Sequence, residues 1–338
     1  MLNTPTLYTT HQPLGYKVRH MTHKRSTILM LALLAIVCVA TLTWGRNVDD
    51  LSFDFWSLDF VLDLRLPRLV TAAVCGASVA LAGCLSQNLF RNVLASPSIL
   101  GTEAGTSFAI GVIFYFWGAY LDSRLVMVSG FLGGTIVTLF TVRFAAKDDS
   151  MTKLLLAGFA LNAFLGSLTS LILGQLMESG QGTDLYRWLM GSFVAKDWNQ
   201  CLAVCSTFAF GLVVVLRIAS PLDSLWLGDD VAKINGLPVR FMRMASVAII
   251  CLLTAGAIGV GGVLPFVSLI VPHYMRLKHG GSMRSLAMNC CLGGALLTTT
   301  ADLLAKHSFY PVETSVGILT TLIGAPYFIW LLMKRAQL

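Results

Sequence analysis

The sequence predicts an all-α integral membrane protein, with about ten transmembrane helices in a compact bundle, each needing some 20 apolar residues to cross the hydrocarbon. Three observations carry this. Apolar runs of helical length recur from residue 25 to residue 333, only 12% of the 338 residues are charged, and the mean hydropathy is +0.74. Too little polar sequence remains for a sizeable soluble domain.

Residues 1–24 form a polar, cytoplasmic N-terminal tail carrying Pro5 and Pro13, and 25–335 form the polytopic domain. Lys24 and Arg25 precede the first apolar run, 25–45, and no small-x-small cleavage site follows it, so it reads as an uncleaved span. The loop 46–64 is acidic, with Asp49, Asp50, Asp54, Asp59 and Asp63. Further spans are expected at 68–90, 100–117, 124–144 and 153–176. Small residues at GxxxG spacing, Gly101–Gly105 and Gly130–Gly134, allow close helix approach. The loop 177–197 alternates polar residues with Tyr186, Trp188 and Phe193, which suits a short surface helix. Spans at 198–217, 241–261, 264–276, 284–305 and 313–333 complete the set. Segment 264–276 is short and bounded by Pro265 and Pro272, so a broken or half-crossing helix is expected there.

The net charge of +7 reflects topology and not a nucleic-acid footprint. With the N-terminus inside and ten alternating spans, only Arg46, Arg65, Arg68, Arg124, Arg187, Lys196 and Lys306 lie outside, against seventeen basic residues inside. The positive-inside rule therefore predicts cytoplasmic N- and C-termini. The eight cysteines show no metal-ligand spacing and read as small hydrophobes in helix packing. No cofactor is implied.

Three stretches combine polar residues with helix breaks. Arg65-Leu66-Pro67-Arg68 opens a small-residue span that ends in Gln87-Asn88-Leu89-Phe90-Arg91, and on chemistry alone these arginines suit interfacial snorkelling. The longest inside loop, about 218–240, contains Leu227-Gly228-Asp229-Asp230-Val231-Ala232-Lys233 and Gly236. It suits a short glycine-capped helix, with Leu225, Leu227 and Val231 available to a partner. The third stretch is Gly261-Gly262-Val263-Leu264-Pro265, running on to Pro272-His273 and Arg276.

In this order and spacing the three stretches resemble the permease subunit of the ABC importers for iron–siderophores, haem and cobalamin. LLLAGFALNA at 154–163, Ala301-Asp302-Leu303-Leu304-Ala305 and the run from Gly317 to Pro326 extend the resemblance to the C-terminus. It implies a type II importer permease in the bacterial cytoplasmic (inner) membrane. The implied partners are a second permease, identical or related, a cytoplasmic ABC ATPase dimer and an extracytoplasmic substrate-binding protein, with a ferric siderophore as cargo and haem or cobalamin as alternatives. By position in the family pattern, Arg65, Arg68 and Lys306 are expected to dock the binding protein. Lys306 stands where the family often has arginine, and it lacks the bidentate fork. Leu227, Gly228, Asp229, Asp230, Ala232 and Gly236 are expected to form the ATPase coupling loop. Glu103 stands where the family has a small or neutral residue, and is read either as a helix N-terminal acid or as lining the pathway.

A proton-coupled secondary carrier is the main rival class, with Glu103, Asp302 and His273 as its only candidate ion sites. An enzyme is disfavoured because the chain has no HExxH, no GxSxG and no paired intramembrane aspartates. It also has no GxxxxGK[ST] loop, so ATP hydrolysis is expected on another subunit.

Overall fold

The computed structural model describes residues 14–44, 61–118, 122–145, 151–308 and 312–335, and among these thirteen α-helices and no strand occur. Ten of the helices coincide with the expected spans. They are α1 (Leu14–Thr43), α2 (Leu66–Phe90), α3 (Thr102–Trp117), α4 (Ser123–Ala145), α5 (Met151–Glu178), α7 (Trp198–Arg217), α10 (Val239–Gly261), α11 (Val267–His279), α12 (Met283–His307) and α13 (Val316–Arg335). The other three are short: α6 (Gly182–Leu189), α8 (Ala219–Leu227) and α9 (Asp229–Ile234). The short helix expected in the 177–197 loop is α6. Helix α1 begins at Leu14, so residues 14–24 of the expected tail are helical. Residues 1–13 and 45–60, which include most of the acidic loop, lie outside the described residues.

Among the described residues, six helices are individually long and apolar enough to cross a bilayer. The others fall short for visible reasons. Helix α11 has 13 residues, starts after Phe266 in the left-handed region (φ 64°) and contains Pro272, which is the break expected at 264–276. Helix α12 has 25 residues but carries Asn289, a threonine run at 298–300 and Asp302. It is enclosed by α1, α2, α11 and α13, so its polar side chains meet protein rather than lipid.

The centre of the bundle is α2. In its most apolar 18-residue stretch 83% of the residues are buried, against 72% for α10, whereas for α1 and α5 the share is 17% and most of the apolar surface faces outward. Small residues make this centre possible. A Cβ added at Gly76 would lie 2.4 Å from the Gly294 carbonyl oxygen, and one at Gly294 would lie 2.2 Å from that of Gly76. Helices α2 and α12 therefore cross backbone to backbone, and Thr298 Oγ1 donates across the crossing to the Ala72 carbonyl at 2.8 Å. At Gly83 a Cβ would fall 1.9 Å from the Ser268 carbonyl oxygen, so α11 is seated equally closely on α2. The GxxxG pairs meet in the α3–α4 interface, where Gly105 faces Gly133 and Gly134 faces Thr106. Gly133 lies one position from the glycine that spacing singles out.

Two loops lock the ends. The Ser192 amide donates to Gly261 (3.0 Å), and the Val316 and Gly317 amides donate to Gly191 and Met190 (2.9 and 3.1 Å). These bonds join the end of α10 to the start of α13. Helix α1 is pinned to its neighbours by Ser26 with His279 (3.3 Å) and by Thr27 Oγ1 donating to Asn289 (3.1 Å).

Gly294→Val should force α2 and α12 apart and cost at least about 2 kcal/mol, as overpacking does. Gly166→Ala, which meets nothing within 4 Å, should leave the fold intact. Thermal unfolding of the purified variants in detergent checks both expectations.

Candidate functional site

The predicted site residues gather into two charged clusters at opposite ends of α2 and α12. At one end, Val61–Arg65 forms a π-helical turn that runs into α2, whose first turn holds Pro67 and Arg68. The Arg68 guanidinium donates from Nε to Asp302 Oδ2 and from Nη2 to Asp302 Oδ1, both at 2.9 Å. Its Nη1 donates to Glu313 Oε2 at 3.1 Å. Asp302 is only 1% exposed, so its charge depends on this fork; a buried carboxylate without a partner is costly. Arg65 is 8% exposed and donates from Nη1 to the Leu42 carbonyl (2.7 Å) at the end of α1. Lys306 Nζ donates to the Trp44 carbonyl (2.9 Å), and the Trp44 ring stacks on His307 with centroids 4.8 Å apart.

Arg65, Arg68 and Lys306 are thus brought together, as their common side of the membrane requires, but their donors point into the chain. They tie α1, α2, α12 and the segment before α13 to one another. Among the described residues, the carboxylates of this cluster are Asp302 and Glu313, both held by Arg68. Sequence reasoning missed that Asp302 and Glu313 are the partners. The available signal was an acid near the end of a helix otherwise built for an apolar environment.

At the other end, α8 and α9 are separated by Gly228 at φ 135°, and α9 closes at Gly236 (φ 72°), where Leu237 donates back to Ala232 at 3.0 Å. Ala232 is fully buried, whereas Leu227 is 70% and Ile234 85% exposed; Asp230 and Val231 are exposed as well. Leu225 departs from expectation. It is buried in the core because α8 turns that face inward, away from any partner. Asp229 also points inward, where its carboxylate accepts from both Arg91 and Arg243 and binds α9 to the ends of α2 and α10. Three further ties hold α8. Asn88 Nδ2 donates to the Leu222 carbonyl (3.1 Å), Asp223 accepts from the Met283 amide (2.7 Å), and the Arg276 guanidinium lies 4.0 Å above the Trp226 ring.

Glu103 joins neither cluster. It stands partly buried in the first turn of α3, after Gly101 in the left-handed conformation, where the helix N-terminus favours an acid. Beside the loops that join the end of α10 to the start of α13 lies an apolar groove of about 610 Å³, lined by Leu189, Met190, Val263, Pro265, Ile318 and Thr321. Its wall is built by the loop bonds at Met190, Gly191 and Gly261. Composition gave no functional signal for these residues beyond their glycines and prolines. Among the described residues no group of three His, Cys, Asp or Glu side chains converges as a metal site.

Asp302→Asn leaves the Arg68 fork facing a neutral amide and should destabilise by roughly 3 kcal/mol or more. Arg68→Lys, which keeps the charge but loses the fork, should cost less. Thermal unfolding of each variant, with Arg68→Asp/Asp302→Arg as a partial rescue, checks the pairing.

The family model described as the FecCD transport family matches residues 26–334. The hemin transport system permease protein HmuU of Yersinia pestis is 33% identical, with 87% of each chain covered. The vitamin B12 import system permease protein BtuC of Vibrio cholerae is 36% identical, covering 92% of this chain and 95% of its own. The Fe(3+) dicitrate transport system permease protein FecD of Escherichia coli is also 36% identical, covering 88% and 92%. A solved structure described as a metal-chelate type ABC transporter in an inward-facing conformation superposes with a TM-score of 0.83 at 28% identity, covering 92% of this chain and 99% of that one. The chain belongs to the FecCD transport family: it is the permease of an ABC importer of bacterial inner membranes, and ATP hydrolysis lies in a separate subunit.

Proposed function

We propose that this permease moves a ferric siderophore into the cytoplasm, with both of its termini on the cytoplasmic side. The carrying observation is the pair of charged clusters at opposite ends of the same two helices, α2 and α12. The basic bias of the loops supports putting the α8–α9 end inside. There the loop 218–240 is the coupling segment. Leu227, Asp230, Val231 and Ile234 form its ATPase-facing surface, while Gly228, Ala232 and Gly236 shape it and Asp229 anchors it. At the outer end the cluster of Arg65, Arg68 and Lys306 receives acidic residues of a substrate-binding protein. The part-exposed edges of Arg68 and Lys306 support this reading. Buried Arg65 contributes by fixing the π-helical turn.

The apolar groove suits one wall of the pathway, the facing wall coming from a second permease, identical or related. The cargo is inferred from relatives whose names refer to Fe(3+) dicitrate, hemin and vitamin B12, together with the metal-chelate neighbour. Haem or cobalamin is the second reading, which the hemin and vitamin B12 relatives favour.

The test is uptake of radio-iron siderophore by spheroplasts with and without this protein, the proton gradient collapsed and ATP maintained. Uptake that needs the protein and survives collapse is expected. Ile234→Asp, which places a charge on the exposed face of α9, should abolish uptake while the protein remains folded. Protein-dependent uptake that dies with the gradient contradicts the ATP-driven reading. Uptake of haem or cobalamin but of no siderophore moves the cargo to the second reading.

A further inference from the structure

A second cavity, of about 190 Å³, lies at the α8–α9 end, away from the apolar groove. It is lined by Asn88 of α2, Asp223 and Trp226 of α8, Arg276 of α11, the Gly280–Gly281 turn and Met283 of α12. Three side-chain atoms around it are buried and have no hydrogen-bond partner within the protein: Nε and Nη2 of Arg276 and Oδ1 of Asn88. Asn88 is 2% exposed, and its amide orientation is fixed, because Nδ2 must face the Leu222 carbonyl to donate to it. Its Oδ1 therefore remains an acceptor. The Arg276 guanidinium is held in place by Trp226 beneath it.

Unsatisfied buried groups of this kind, one of them charged, call for an occupant. Its chemistry follows from the lining. Arg276 offers two donors and a positive charge, which favour an oxyanion. Asn88 Oδ1 accepts, and so does the carboxylate of Asp223, one oxygen of which already takes the Met283 amide. An oxyanion seated here must therefore also carry a proton to donate. Near neutral pH inorganic phosphate carries both P–O⁻ and P–OH groups, and a phosphate monoester does so in its monoanionic form (second pKa about 6), whereas sulfate has no proton to offer. We propose that this cavity is a binding site for a phosphate-class oxyanion, recognised through the Arg276 fork and the Asn88 and Asp223 acceptors. Bound there, the oxyanion bridges α2, α8, α11 and the start of α12.

The test uses the full chain in phosphatidylcholine nanodiscs, with radiolabelled inorganic phosphate read by scintillation proximity at constant ionic strength. Saturable binding is expected, with sulfate displacing it roughly tenfold or more less well, because sulfate leaves buried acceptors unpaired. Arg276→Gln should abolish binding, and Arg276→Lys should weaken it. Short-chain phosphatidate in competition identifies the source: tighter displacement than by phosphate points to a lipid headgroup, and weaker displacement to the free ion. The proposal fails if neither ligand binds saturably, if sulfate competes as well as phosphate, or if Arg276→Gln binds unchanged. Should Arg276→Gln not fold, the sulfate comparison on the wild type decides. None of these readouts depends on which cargo is transported.

Discussion

A carboxylate that is 1% exposed inside a helix bundle requires a partner, and Asp302 has one in the fork of Arg68. The same guanidinium reaches Glu313, so one side chain fixes α2, α12 and the approach to α13 together. Desolvating an arginine–carboxylate pair brings little net stability. What it supplies is geometry: any other relative position of α2 and α12 would leave a buried charge alone. The backbone crossing at Gly76 and Gly294 works in the same direction, because it admits no side chain between the two helices. Together these constraints make α2 and α12 a single mechanical unit.

That unit connects the two ends of the permease. At the end opposite Arg68, α2 holds α8 through Asn88 and α9 through Arg91, and the first amide of α12 is capped by Asp223 of α8. Helix α10 adds Arg243 on Asp229. A displacement of α8 and α9 is therefore passed to helices that run the length of the bundle, toward the Arg68 cluster. Under the coupling role proposed for α8 and α9, this arrangement gives their motion a route to the far end.

The sequence made the local features legible and left the distant ones obscure. All ten apolar segments are helices, because hydrophobic length is a local property that the bilayer enforces. The break at α11 was readable from Pro265 and Pro272, and the short helix α6 from its loop composition. The pairing of Arg68 with Asp302 links residues 234 positions apart, and no local pattern encodes it. Asp229 and Asp230 are adjacent and chemically identical, yet one points into the bundle and the other outward. The same holds for Leu225, buried, and Leu227, exposed. Which face of a six- or nine-residue helix turns inward is set by the glycine hinge at 228 and by tertiary ties, and spacing alone cannot supply it.

The direct test of transmission through α2 and α12 is a double-mutant cycle on the reconstituted importer. ATP hydrolysed per substrate moved would be measured for Asp229→Asn, Asp302→Asn and the two combined. Residues this far apart should act independently unless something between them carries coupling. The account predicts that each single change raises the ratio and that the double variant is no worse than the worse single, because one broken unit cannot be broken twice. Losses that multiply, or an Asp302→Asn variant with a normal ratio, would contradict it.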